Sequence, residues 1–238
     1  MLHETGVRIS VSVYYVRISV SVYYVYFIVF VLFAHLLTMT ALTLVLPDVL
    51  NQSMHYESYR WLVDECVAAG KTTGPKQTEE LIAYTKLNAQ RMKRVEQTVR
   101  LAEETCAVLE AIQRPMIWLT LTEAWCGDAA QIVPVLNAMA SAAPNVELRF
   151  ILRDENLVVM DEFLTRGGRS IPKIIFLDRE TLEVLDSWGP RPPEAHEQLD
   201  RWKQQGLSFD EYAALLHKWY AADKTLSTQR SLIAALPR

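Results

Sequence analysis

Cys126 lies in Glu123-Ala124-Trp125-Cys126-Gly127-Asp128-Ala129, where the chain changes from an apolar, β-branched run to a helical pattern. A cysteine in the first turn of a helix meets unpaired backbone N–H groups and the positive end of the helix dipole. Both favour thiolate, and thiolate is the nucleophile in disulfide exchange. Asp128 acts in the opposite sense: a carboxylate two residues from the sulfur raises the thiol pKa, so Cys126 is expected to react more slowly than a thiol with only a helix N-terminus beside it. A structural role for Asp128 competes with this, because an aspartate in a first helical turn stabilises the helix by about 0.3–1 kcal/mol. Gly127 has a plain reading as well, as the small residue of a tight strand-to-helix turn.

The elements around the cysteine follow from hydrophobic period. Met116 to Thr122 reads as a buried strand, and Ile132, Val133, Leu136, Met139 and Ala140 recur at helical spacing over 127–142. Pro134 sits inside that helix, where proline ordinarily costs about 3 kcal/mol. Strands are expected at 146–152, 172–178 and 182–188, with a helix at 157–166 between the first two. The polar turn Asp178-Arg179-Glu180-Thr181 makes the last two strands a hairpin. Ahead of this block, Tyr56 to Ala69 and a stripe from Leu81 to Leu109 read as helices, separated by Lys71-Thr72-Thr73-Gly74-Pro75. Thr78 is positioned to cap the second of them, with Glu79 and Glu80 favourable in its first turn. After the block, Pro190, Pro192 and Pro193 stop the sheet, and 194–204 and 208–236 read as helices. Trp202, Phe209, Tyr212, Leu215, Leu216, Trp219 and Tyr220 form an aromatic and aliphatic stripe there, expected to pack on the core.

With Trp125-Cys126-Gly127, the internal Pro134, Arg169-Ser170-Ile171-Pro172 and Gly189 in this order, the region 94–192 resembles the thioredoxin superfamily. It is most similar to a bacterial thioredoxin-like branch carrying Glu-Ala-Trp-Cys-Gly-Asp-Ala. The resemblance implies an α/β thioredoxin fold: a mixed four-stranded sheet with helices on both faces, here with added N-terminal and C-terminal helices. It also implies a cis peptide at Ile171-Pro172 facing Cys126, a minority state for X-Pro bonds. Trp125, Gly127, Asp128, Ile171, Pro172 and Gly189 would then form the family's shallow groove for extended, thiol-bearing peptides, with Arg169 adding positive charge beside it. The expected organisation is a segment 1–53, a helical extension 54–93, the core 94–192 beginning with a helix at 94–112, and a C-terminal extension 193–238.

Two departures from the family pattern bear on chemistry. The family's usual second cysteine is replaced by Ala129, so an attack by Cys126 could not be resolved within the motif. The family's buried acid six residues before the nucleophile is replaced by Thr120. One reading is a monothiol disulfide oxidoreductase, with Cys126 as nucleophile, a thiol or disulfide substrate, and glutathione or another external thiol as resolver. The alternative is a non-catalytic binding or adaptor module that keeps fold and groove. A single-cysteine peroxidase fits worst, because Glu123-Ala124 supplies neither the Thr or Ser nor the arginine it would want.

Composition sets the limits of these readings. The 238 residues are 50% hydrophobic and 22% charged, with a formal net charge of −4, which points away from a nucleic-acid partner. Cys66, Cys106 and Cys126 are too few and too scattered for a disulfide scaffold or a metal site, and no cofactor is expected. Cys66 and Cys106 are expected to be small buried hydrophobes. The oligomeric state is not readable from the chain.

The first 53 residues differ from the rest. Val7 to Tyr15 reads VRISVSVYY, and Val16 to Tyr24 repeats it without a substitution. Residues 25–46 carry no Asp, Glu, Lys or Arg and are long enough to cross a bilayer. Arg8 and Arg17 before the run would place the following domain on the outer side of a single-pass anchor. The competing reading takes the perfect repeat as extraneous and Met54 as the true start, which makes the protein cytoplasmic. Membrane association stands only if 25–46 is a genuine part of the protein.

Overall fold

The structure is a computed structural model that describes residues 24–29 and 45–237. The chain divides into two units, Met1–Leu44 and Val45–Arg238. In the first, residues 24–29 are helical and solvent-exposed. The expected membrane span at 25–46 falls largely on residues 30–44, which lie outside the described residues, as does the nine-residue repeat apart from Tyr24. Among the described residues, no helix is long and apolar enough to cross a membrane.

The second unit is built around β1 (Met116–Thr122), which is buried along its whole length. Its sequence, MIWLTLT, is nearly continuous in apolar and β-branched residues, as a strand covered on both faces requires. β1 pairs in parallel with β2 (Val146–Leu152) and antiparallel with β3 (Lys173–Asp178), and β3 pairs antiparallel with β4 (Val184–Trp188), giving the order β2-β1-β3-β4. This is the mixed four-stranded sheet of a thioredoxin fold with terminal helices added. Met116 opposes Val146 on one side and Asp178 on the other, and the register is regular until a shift at Phe176/Leu177. Trp118 and Phe176 meet edge to face at 5.7 Å in the core.

Helical α1 (45–52) and then α2 (Tyr56–Ala68) and α3 (Glu79–Thr98) precede a short α4 (Glu103–Glu110). Thr78 caps α3, its hydroxyl accepting from the Leu81 N–H at 3.3 Å. Because α3 runs unbroken through 93 and 94, no element boundary falls there. The expected helix 94–112 is instead the end of α3, an extended link at Val99–Ala102 and α4. Residues before Met54 are packed: Leu46 and Val49 are buried, and Met54 exchanges two 2.8 Å backbone hydrogen bonds with Phe150 on edge strand β2.

α5 (Gly127–Ser141) follows β1 and continues through Pro134. After β2 come a 3₁₀ turn (Arg153–Glu155) and α6 (Leu157–Asp161), far shorter than the expected 157–166. The helix ends at Asp161 with Glu162 as its C-cap, Arg166 beyond it has positive φ, and Thr165 and Gly168 close a small bridge. Strand β4 begins two residues later than expected, beyond Leu182, which also has positive φ. The C-terminal part consists of α7 (Pro193–Gln204), α8 (Phe209–Asp223) and α9 (Leu226–Ala234). The expected continuous helix 208–236 is broken at Lys224 and Thr225, both left-handed. Of the aromatic stripe, Leu216 and Tyr220 are buried, whereas Phe209 is 54% exposed. Cys66 and Cys106 are half-buried.

Candidate functional site

Cys126 is the N-cap residue of α5, at the C-terminal end of the loop leaving β1. Its Sγ accepts from the Ala129 N–H at 3.5 Å and donates its thiol proton to the Ile171 carbonyl at 3.3 Å. Ile171–Pro172 is a cis peptide, and so is Gly189–Pro190. Gly189 is glycine for a local reason. With φ +123°, a Cβ there would lie 2.2 Å from the Pro172 carbonyl oxygen. The structure therefore brings Cys126, Ile171, Pro172 and Gly189 together.

The thiol is closed in. Cys126 is 8% exposed. Burial first, and then the charge of Asp128, push its pKa up to about 12, against the lowering influence of the Ala129 N–H and of Arg191.

Asp128 is only 8% exposed and its carboxylate is fully engaged. Arg191 pairs with both of its oxygens, Nε to Oδ1 at 3.2 Å and Nη2 to Oδ2. The Tyr220 hydroxyl donates to Oδ1 at 2.7 Å. The same aspartate thus fastens the segment after β4 and helix α8 to the first turn of α5. Next to it on α8, the His217 ring stands over Gly127, where a Cβ would meet Nε2 at 2.9 Å. His217 Nδ1 is hydrogen-bonded to Gln131 Nε2 at 3.1 Å. Burial, reinforced by Arg91 and Arg94, lowers its pKa to about 4 against the opposing pull of Asp128, so the ring is neutral at physiological pH.

The back of the motif loop is held by the N-terminal helices. Asn88, fully buried on α3, donates to the Ala124 carbonyl at 2.9 Å. The Thr73 hydroxyl accepts from the Ala124 N–H at 2.9 Å and donates to Glu123 Oε2. Glu123 is completely buried and accepts from the Asp154 N–H at 2.9 Å through its other oxygen. Burial raises its pKa. Thr120, where the resemblance implies an acid, is buried with a hydroxyl that has no hydrogen-bond partner among the described residues. Glu123, three residues nearer the cysteine, is a buried carboxylate on the strand side of the motif, and it braces the loop.

Trp125 is half-buried, with the Arg153 guanidinium 4.7 Å above its ring centroid. Arg169 forms a bidentate pair with Asp161 at 2.6 and 2.7 Å. Lys173 is a buried cation that sequence reasoning missed. It donates to the Thr165 hydroxyl at 2.8 Å and the Gly189 carbonyl at 3.4 Å, has no carboxylate within ion-pair distance among the described residues, and has its pKa lowered by burial. Arg191 and His217 were missed as well, and Tyr220, expected to pack on the core, was not foreseen as a partner of Asp128. The one sequence signal for them is Asp128 itself: an anion in a buried first turn needs a cation, and Arg191 lies between two prolines that stop the sheet. Among the described residues, no group of three His, Cys, Asp or Glu side chains could hold a metal ion.

Comparison with known proteins bears on the fold more than on the chemistry. The family model described as thioredoxin matches residues 74–203, more than half of the chain. Among solved structures the chain is similar to a 1.5 Å crystal structure of a protein of unknown function from Pseudomonas aeruginosa. The two are 17% identical with a TM-score of 0.51, and the match covers 79% of this chain and 94% of the other. It is also similar to a crystal structure of an HIV epitope scaffold, 18% identical with a TM-score of 0.47, over 76% of this chain and 98% of that one. No curated protein matches the chain.

Proposed function

We propose that this chain, which belongs to the thioredoxin family, is a thioredoxin-fold binding module in which Cys126 is a structural thiol and the groove beside it recognises an extended segment of a partner. The observation that carries this reading is the state of the sulfur. It is buried, it donates to the Ile171 carbonyl, and its pKa is pushed up to about 12. At pH 7 a thiol with that pKa is ionised in about one molecule in 10⁵, whereas disulfide exchange requires the thiolate. The missing resolving cysteine at position 129 points the same way. Trp125, Ile171, Pro172 and Gly189 supply the groove.

A monothiol oxidoreductase remains the second reading, favoured by the position of Cys126 at the N-terminus of α5 with the Ala129 N–H on its sulfur. On that route the Cys126 thiolate attacks one sulfur of a disulfide, the other sulfur leaves as thiolate, and an external thiol such as glutathione regenerates Cys126 as it forms a new disulfide. The route requires the thiol to be uncovered and ionised first.

Glutathione disulfide separates the two. Incubated with the full chain and followed by intact mass and peptide mapping, the native protein is expected to form adducts on half-buried Cys66 and Cys106 before Cys126. Prompt glutathionylation of Cys126, absent in Cys126→Ser, would replace the binding-module reading with the monothiol one.

A further inference from the structure

A cavity of about 490 Å³ lies between the C-terminal half of α3 and the α8–α9 corner; Cys126 does not line it, although Gln131 and Tyr220, which bond His217 and Asp128, form part of its wall. That is within the range of about 300–1,000 Å³ typical of small-molecule sites. Three cationic side chains line it: Arg94 and Arg100 from α3 and the link after it, and Lys224 from the corner. Among the described residues none of the three has a carboxylate within ion-pair distance, and no Asp or Glu lines the cavity. The guanidinium groups touch only neutral acceptors. Arg94 donates to Gln131 Oε1 at 2.9 Å, and Arg100 donates to the Val99 and Gln97 carbonyls at 2.7 and 3.3 Å.

Hydroxyl groups accompany the cations. Thr228, 1% exposed, lines the cavity, and its side chain has no hydrogen-bond partner among the described residues. The Thr225 hydroxyl accepts from Gln229 Nε2 at 2.9 Å, which leaves its own proton free to donate. Val95 and Leu226 provide an apolar wall. Three unpaired cations concentrated on one small cavity create a positive potential that a dianion neutralises better than a single carboxylate does. The hydroxyls match additional acceptor oxygens, and the apolar wall matches an organic substituent.

We propose that this cavity is a binding site for a small organic phosphate, with Arg94, Arg100 and Lys224 on the phosphoryl oxygens, Thr225 and Thr228 donating to them, and the organic part against Val95 and Leu226. The proposal does not depend on how Cys126 behaves.

Isothermal titration of the full chain with phenyl phosphate tests it, with inorganic phosphate and benzoate as the arms that separate phosphoryl recognition from general anion or ring binding. Phenyl phosphate is expected to bind saturably with a Kd at or below about 1 mM. Inorganic phosphate should compete with it, benzoate should bind at least about tenfold more weakly, and affinity should fall with added salt. The triple variant Arg94→Gln/Arg100→Gln/Lys224→Gln, checked for folding by circular dichroism, is expected to lose at least about tenfold in affinity. Arg100→Gln alone should show a smaller loss in the same direction. The absence of saturable heat at millimolar phenyl phosphate, equal binding of benzoate, or undiminished affinity in both variants would each overturn the proposal.

Discussion

The first turn of α5 and the cavity between α3 and α9 treat charge in opposite ways. At the first site the buried carboxylate of Asp128 is met by Arg191 and by the Tyr220 hydroxyl, so charge there works as a fastener between elements. At the second, Arg94, Arg100 and Lys224 face a cavity without a carboxylate among them. The motif that first draws attention has been built into the fold's framework, while unspent binding capacity lies on a face the motif does not mark. A thioredoxin-like sequence signature thus reports where the fold is organised, and the unpaired groups report where a ligand would be taken.

Substitutions should separate the two regions. Asp128→Ala leaves the Arg191 guanidinium, 16% exposed, without its partner and is expected to cost about 3–5 kcal/mol in denaturant unfolding. A loss under about 1 kcal/mol would mean that Asp128 is not the fastener described here. Tyr220→Phe removes one hydrogen bond to a carboxylate while keeping the ring, so a loss of about 1.5–3 kcal/mol is expected in the same measurement.

The His217 ring supplies a pH test of the closed site. Its folded pKa is lowered to about 4, below the ordinary histidine value near 6.5. Between those values the unfolded chain binds a proton that the folded chain does not. Its contribution to stability is therefore fully present above about pH 6.5 and is lost as pH falls toward 4. Thermal unfolding across that window should show a decline that His217→Gln flattens; an unchanged slope would place the acid sensitivity elsewhere. The smallest effect belongs to the other region. Arg100→Gln or Lys224→Gln, exposed and unpaired, should change stability by no more than about 0.5 kcal/mol, and a larger loss would show that these cations serve the fold after all.

The mixed four-stranded sheet and the place of Pro134 inside a helix were legible through the thioredoxin resemblance, whereas the strand-to-helix turn at Cys126 and the hairpin at Asp178–Thr181 could be read from the chain because each rests on a local period or on turn chemistry. Asp178 shows why: its carboxylate accepts from the N–H groups of Glu180 and Thr181, within its own turn. The partners of Asp128 lie 63 and 92 residues away and carry no motif of their own. Long-range pairing of that kind is decided by packing, which one-dimensional patterns do not encode. The breaks at Val99–Ala102 and Lys224–Thr225 escaped for a related reason, since neither contains the glycine or proline that ordinarily marks a helix end. The composition of Asp128 in a first helical turn was legible as helix-stabilising, and its burial was not.

Cys126 stands in the fold as a buried, protonated thiol. Its alkylation by iodoacetamide, followed by peptide mass mapping across pH so that Cys66 and Cys106 are counted separately, measures this directly. The rate at Cys126 should be far below that of an ordinary free thiol at pH 7 and should still be rising above pH 9, as burial and Asp128 require. A thiolate plateau extending below about pH 6 would contradict the account and return Cys126 to the role of nucleophile.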